Sequence, residues 1–546
     1  MTNVSSGGAS RDDATRLATI VRRFGQFAAA YPDLRLYRAI CEGAARDREV
    51  AELLLAASPG QERPVLLLAA LHDLVLRSGG GGIPAARWYA SVVGRDGLPE
   101  PEAWGEPGGG PWPDVRRALL RHRDEITRII ATRSTQTNEV NRAVYVLAML
   151  ALTGATVVDS AAGSVVGGSH RPGGEGHDAG LGEPAPLPVA LVELGCSAGL
   201  LLTPDRYDVR ITGGPASVWD AAATSAGGGR VQPSDVRIVR WGDPDSAVRL
   251  EGEDRTPAEY GPVAARGLLP PPIVARVGLD LAPVHPDDAD DADELRWLHA
   301  CLWPDVPGRV ERFEAAVAQR RGEVRAGRGD VELRTGDITD PMAVTQALQA
   351  AVRRAEAAGH PTVTFDDRAA FASGPRDAGS GPRAAGSGPR AAGSGPRAAG
   401  SGVPAAGSGP RDAGSGPRDA GSGVPAPGST PRASGSRPGM PVVRPALHIV
   451  AVTSWAATYV ERSRRERIAG ALGGFAVSTG LPVTWCGAEP AGSMPGLGDL
   501  PDGLLDSSPE GVTVLAARRW RAGRELPPIV WGIADPHGRW IRLRPR

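Results

Sequence analysis

Between residues 11 and 153, apolar side chains return every three or four positions, the spacing that lines one face of an α-helix. Four stretches carry the pattern: ATRLATIVRRFGQFAAAY, DLRLYRAICEGAARDREVAELLLAA, RPVLLLAALHDLVLRS and DVRRALLRHRDEITRIIATR. Asp33, just after Pro32, is placed to cap the second, and Gly60 and Gly79 stand where helices should stop. No alternating run competes, so a helical N-terminal domain is expected over 11–153. Residues 154–187 are rich in Gly, Ser and Pro without periodicity, which predicts a flexible connection.

From residue 188 the texture changes. The short apolar runs PVALVELG, PPIVARVGLDL, VELRTGD, ALHIVAVTS and LPVTWCG are rich in β-branched residues, and helical stretches follow the second, third and fourth. That alternation predicts an α/β fold: a Rossmann-like, mostly parallel sheet of seven strands with crossover helices, split into 188–372 and 441–546. VTVLAARRW, PPIVWGIA and RWIRLRP, separated by turns such as DPHG (535–538), predict an antiparallel addition. The two halves are interrupted by a seven-residue repeat, SGPRxAG and its variants, over 373–440. Each unit holds Pro and one or two Gly and no apolar seam, so this segment is expected to be a disordered, solvated linker. Such an insertion costs little, because closure entropy grows only logarithmically with length.

Composition narrows the chemistry. All 61 basic residues are Arg, which excludes a phosphate-binding P-loop, a protein kinase and a Schiff-base enzyme, each of which needs a Lys. A net charge of -1 gives no sign of nucleic-acid binding. The longest apolar runs, such as VLLLAALHDLVL (65–76), fall short of the roughly 20 residues a membrane span needs. The polar start MTNVSSGGASRDD lacks a signal-peptide core, and the four cysteines form no CxxC pair. A cytoplasmic protein without a disulfide framework or structural metal site is expected. His285, His299 and Cys301 lie near Asp287 and Asp288, but His299 and Cys301 face apart at two-residue spacing on a predicted helix.

The stretch VALVELGCSAGLLL (189–202) concentrates the candidate chemistry. An apolar strand delivers Glu193, and Gly195 and Gly199 let the backbone turn sharply and approach a ligand. ELGCSAG resembles the first motif of class I S-adenosylmethionine-dependent methyltransferases, with Ser197 in place of the middle glycine. The likeness continues at two later strand ends. In VARVGLDLAP (274–283), Asp280 would hold the ribose hydroxyls, and in VELRTGDITD (331–340), Asp337 would lie near the adenine. Spacing departs from that family: about 85 residues separate Glu193 from Asp280 where about 20 are usual. Pro204 also cuts the first helix to about one turn, so 205–270 is read as an insertion, a small hairpin layer or lid in which VRIVRWGD is a strand.

A second reading is literal. Gly195-Cys196-Ser197-Ala198-Gly199 matches the G-x-S-x-G nucleophile elbow of α/β-hydrolases, with Ser197 as nucleophile and His537 available to complete a triad. Cys196, near a helix start, is a candidate for a lowered pKa or for simple packing.

RSTQTNEVNR (133–142), LVELGCSAGLLL, GLDLAP followed by RWLHACLWPD (296–305), and RTGD together resemble the DUF2332 family, a mainly actinobacterial group of uncharacterised proteins. The resemblance implies a methyltransferase-like domain behind a helical part, with no established activity. It also implies a His before Ser454, where Thr453 stands, and a catalytic role of that His would be lost here; Tyr459 and Glu489 fit the pattern. Gln136, Thr137, Asn138 and Glu139 admit two readings: a helix cap supplied by Thr137 or Asn138, or a substrate or cofactor contact over the sheet's carboxyl edge. Trp297 and Trp303 are read as core anchors, with adenine stacking as the alternative. The expectation is S-adenosylmethionine binding and methyl transfer to an unknown substrate, with Ser454 and Tyr459 as catalytic or substrate-contacting residues. A non-catalytic ligand-binding or regulatory protein on the same fold is the alternative, ahead of the serine hydrolase.

Overall fold

The computed structural model of the chain describes residues 11–100, 104, 109–136, 138–162, 186–213, 237–263, 266–366, 442–500 and 511–545. The connection 154–187, the insertion 205–270 and the repeat 373–440 lie wholly or partly outside these residues, as does Thr137. The chain divides into two compact units, residues 1–364 with 445–546, and Phe365–Arg444. Little of the second unit is described beyond the ends of two short strands, β7 (Val363–Asp366) and β8 (Val442–Pro445), which pair as a separate sheet.

The helical part comprises α1 (Arg11–Ala30), α2 (Arg35–Arg46), α3 (Arg48–Ala51), α4 (Pro64–Arg77), α5 (Ala90–Val93), α6 (Trp112–Arg121) and α7 (Arg123–Thr132). Their apolar faces meet in one core around Phe24, Tyr37, Ile40, Leu67, Leu71 and Tyr89. Helix α4 is apolar nearly all round and accordingly lies at the centre of the bundle. The second predicted helix breaks at Asp47, whose carboxylate restarts α3 by accepting the Val50 N–H at 3.2 Å. The fourth breaks at His122.

The cap expected from Asp33 is not the one observed. The N-cap residue of α2 is Leu34, which offers no side-chain acceptor, and Asp305 accepts the N–H groups of Leu36 and Tyr37 instead, each at 3.0 Å.

Helix α8 (Ala143–Ala162) continues past residue 153, and its buried residues Val144 to Leu152 belong to the core of the sheet. Conversely α9 (Ala292–Ala300), which follows the second parallel strand, lends Trp297 and Ala300 to the helical core, joined by Cys301 just past its end. Each part of the molecule thus keeps one helix in the other.

The sheet has eleven strands rather than seven. They are β1 (Val189–Leu194), β2 (Asp208–Gly213), β3 (Arg237–Gly242), β4 (Arg249–Asp254), β5 (Ile273–Asp280), β6 (Val331–Thr335), β9 (His448–Ser454), β10 (Val483–Pro490), β11 (Thr513–Arg521), β12 (Arg524–Ala534) and β13 (Trp540–Leu543). Their order is β3-β2-β4-β13-β12-β11-β10-β9-β1-β5-β6. Strands β10, β9, β1, β5 and β6 are mutually parallel, and β10 to β13 continue antiparallel. The described residues of the 205–270 segment join the main sheet, and 214–236 lie outside the described residues. Its strands β2 and β4 carry Val209, Ile211 and Leu250 into the main core, and β4 extends the sheet by pairing with β13.

One face is covered by α8 and α10 (Arg309–Arg325), the other by α11 (Pro341–Ala357) and α12 (Arg462–Thr479). From β1 the chain builds outward to β5 and β6, then returns to add β9 and β10 on the other side. Open α/β sheets bind ligands at the carboxyl ends of their strands where the order reverses, which here lies between β1 and β9. No helix among the described residues is long and apolar enough to cross a membrane.

Candidate functional site

Strand β1 ends at the switch point in a turn made by its own glycines. Gly195 and Gly199 hold φ of +84° and +65°, and a Cβ on Gly195 would lie 2.4 Å from the Ala456 Cβ. Two 3-10 turns, Leu200–Leu202 and Pro204–Arg206, stand where a long helix would otherwise begin, as Pro204 predicts. Ser197 also has positive φ, +50°, a strained choice for a residue with a Cβ. Three hydrogen bonds fix it there. Its N–H donates to Asp280 Oδ2 at 2.8 Å, its carbonyl accepts the Val284 N–H at 3.0 Å, and its hydroxyl donates to Gln136 Oε1 at 2.9 Å.

The hydroxyl partner of Ser197 is thus an amide, not a His. His537 sits in a separate cluster with Arg309, Arg142 and Arg312, where burial first and those guanidiniums second pull its pKa down to about 2. Cys196 is not activated either: burial, then Glu193 and Asp280, push its thiol well above the ordinary range.

Alternation along the strands places Glu193 and Ser454 on the face shared by Leu191, Val450 and α8. Glu193 is 4% exposed, and its Oε2 has no hydrogen-bond partner. Burial pushes its carboxyl well above the usual carboxylate range; Asp280 adds to the shift and Arg142 opposes it. Beside it lies a cavity of about 40 Å³, lined by Asn138, Glu139, Arg142, Glu193, Ser197 and Ser454 among others. That space suits one or two water-sized groups, well short of the ~300 Å³ a drug-sized ligand fills.

The structure brings most of the sequence-predicted residues together. Gln136, Asn138, Glu139, Glu193, Gly195, Ser197 and Ser454 converge on the cavity or its immediate wall. Asp280 closes the turn from the next strand, its second oxygen accepting the Ala282 N–H at 3.1 Å. Asp337 is engaged otherwise, accepting from the Thr339 N–H and hydroxyl and pairing with Arg464 at 2.7 Å, contacts that lower its pKa against the desolvation that would raise it. Ser454 Oγ shares a hydrogen bond of 2.8 Å with the Tyr145 hydroxyl. Tyr459 is 66% exposed and does not line the cavity.

Thr453 points to the opposite face. It is fully buried, accepts the Trp485 indole N–H at 3.1 Å and bonds to Glu489. The Glu489 carboxylate in turn accepts the N–H groups of Ala456, Ala457 and Thr458 at 3.0, 3.0 and 3.2 Å. These two residues hold the β9 loop in shape and do not touch the cavity.

The helical part reaches the site through residues 136–142. The cap that starts this turn is Glu139, accepting the Asn141 N–H at 3.1 Å, rather than Asn138; Thr137 lies outside the described residues. Asn141 bonds the carbonyls of Glu251 and Gly538, each at 3.0 Å, and Arg142 bonds those of Pro536 (3.0 Å) and Ser454 (3.3 Å). Glu139 lies 2.9 Å from Arg309 and 3.2 Å from Arg312. Trp297 donates to the Ser134 carbonyl at 3.0 Å, and Trp303 packs against Phe27 and Tyr31, so both act as anchors between the two parts.

Sequence reasoning did not single out Arg142, Tyr145, Arg309 or Arg312. Arg142 and Tyr145 carried only the signal of polar groups at the start of a strongly apolar helix, NRAVYVLAML, and Arg309 and Arg312 lay among the many charges of RVERFEAAVAQRRGEVR. Among the described residues no group of three or more His, Cys, Asp or Glu side chains is arranged to hold a metal ion.

A family model described as "Uncharacterized protein conserved in bacteria (DUF2332)" matches residues 20–165 and 178–366. The matched residues include the Glu193 turn, Asp280 and Asp337, and end before β9. No curated protein and no solved structure matches the chain.

Proposed function

The chain belongs to the DUF2332 family, and from that premise we propose that its switch-point site, on a Rossmann-like sheet, binds S-adenosylmethionine for methyl transfer to an acceptor substrate. The observation that carries the reading is Glu193: a carboxyl 4% exposed, bordering a cavity, with one oxygen unpartnered. A buried acceptor left empty costs about 1–3 kcal/mol, a cost that a ligand ammonium or hydroxyl there would remove. Glu193 would hold the amine end of the cofactor and Asp280 its ribose hydroxyls, in keeping with the motif resemblance. Asp337 already serves Thr339 and Arg464, so its part is to fix the third loop rather than to present a free carboxylate.

When bound, the cofactor supplies an electrophilic methyl group on sulfur. The chain's own task is then orientation and exclusion of water, which can account for a large share of a rate enhancement without an acid–base pair. Tyr145 fixes the Ser454 hydroxyl at the cavity wall, and Arg142 fixes the Ser454 carbonyl. A nucleoside-sized ligand exceeds the 40 Å³ cavity, so its binding would need the wall to open, and the Gln136–Ser197 hydrogen bond, worth about 0.5–1.5 kcal/mol, is one contact that would have to yield. One observation favours a second reading, a ligand-binding protein without turnover. Thr453, where the resemblance implies a His, is buried between Trp485 and Glu489 and offers no base to the site.

Calorimetry with S-adenosylmethionine and S-adenosylhomocysteine tests the proposal. Binding that Asp280→Asn weakens supports it, and no heat up to about 1 mM ligand, the weak end of specific affinity, sinks it. Binding without methyl transfer to any acceptor in an extract selects the second reading.

A further inference from the structure

Two guanidiniums, those of Arg309 and Arg312, meet the carboxylate of Glu139, and their donors are not fully used. Glu139 Oε1 accepts Arg312 Nη2 at 3.2 Å, while Oε2 lies 2.9 Å from Arg309 Nε without the alignment of a hydrogen bond. Arg309 is 3% exposed, and its Nη1 has no acceptor; its Cζ stands 5.6 Å from the Trp303 ring centre. Arg312 Nε, Asn138 Nδ2 and His537 Nδ1 are likewise buried without partners. Arg142 completes the group from the cavity wall. With His537 neutral, the cluster has a net charge of about +2 and a surplus of donors.

Buried donors without acceptors are rare in folded proteins, and a buried cation without a counter-charge is costlier still. Arg is also the side chain best suited to planar, bidentate pairing with carboxylate or phosphate. We propose that Arg309, Arg312 and Arg142, with Asn138, form an oxyanion-binding site that seats the carboxylate or phosphate group of a second ligand beside the cavity. This inference goes beyond the methyl-transfer reading and stands without it. If both hold, the acceptor substrate is an acid.

The probes are inorganic phosphate and sodium acetate, added to the full chain with ionic strength held constant by chloride, and read by thermal melting and calorimetry. The melting temperature should rise with one or both anions, phosphate or acetate identifying which oxyanion geometry fits. Arg312→Gln removes one charge-assisted hydrogen bond, worth about 1.5–3 kcal/mol, and should weaken anion binding about tenfold or more. Glu139→Gln removes the competing carboxylate and should tighten it. This opposite response keeps the test decisive if the arginine variant folds poorly. No anion-specific rise in either the wild type or Glu139→Gln means that water alone satisfies these donors, and overturns the proposal. Calorimetry with S-adenosylmethionine on the same samples separates the two ideas: an anion response without cofactor binding upholds this one and defeats the other.

Discussion

Glu193→Gln should make the protein more stable at pH 8 while removing ligand binding. The native carboxyl is buried, faces the negative charge of Asp280 and has an oxygen without a partner. An acid whose pKa is higher in the folded chain than in the unfolded one binds its proton more tightly when folded. Its contribution to stability is therefore fully present below the unfolded value, about 4.3, and is lost as pH rises through the folded value. Gln keeps the shape and carries no charge, so its advantage should be small at pH 5 and grow toward pH 8. Gln leaves that position unpaired as well, so only the extra cost of the charge is removed, and a gain of about 1 kcal/mol at pH 8 follows. Urea denaturation of both proteins at pH 5, 6.5 and 8 reads this directly, as a higher midpoint at unchanged slope. A variant less stable than the wild type by over about 1 kcal/mol at pH 8 would refute the reasoning, because it would mean that the charge has a partner the protein depends on.

Two further outcomes follow from the same geometry. Gly195→Ala combines a left-handed backbone at φ +84° with a Cβ 2.4 Å from Ala456, so it should cost about 2–5 kcal/mol in urea denaturation. Adding Ala456→Gly should recover the steric share of that loss but not the conformational share, as a double-mutant cycle would show. Asp305→Ala leaves the first N–H groups of α2 uncapped and should lower stability by about 1–2 kcal/mol. Asp305→Asn, which keeps one acceptor, should lose less.

The central strands β1, β5, β9 and β10 were legible because their β-branched, apolar runs are buried on both faces, and every run named from the sequence became a strand of the sheet. The helical pattern was legible too, but not its breaks, since Asp47 and His122 differ little from neighbouring polar residues. What escaped was long-range pairing. Nothing local marks Asp305 as the cap of a helix that starts at Arg35. The extent of the sheet escaped for the same reason, because β4 finds its partner in β13 near the other end of the chain. In the site, Glu193, Ser197 and Asp280 stood out through the glycine turn and strand ends. The arginines around Glu139 did not, because in a chain whose every basic residue is Arg no single one draws notice.

The contacts of Asn141 and Arg142 have a consequence for biosynthesis. Their partners Pro536 and Gly538 lie 394 and 397 residues further along the chain. Gly538 is so close to Asn141 that a Cβ there would fall 2.2 Å from the Asn141 carbonyl oxygen. While the ribosome is still short of this turn, the segment that walls the cavity has lost half its anchors. The helical bundle can condense early around its own core, but contacts this distant in sequence form late and slowly. Assembly of the site is therefore postponed until residues 536–538 have been made, and a chain halted at residue 534 would carry every candidate ligand-binding residue except His537 without the turn that holds them in register.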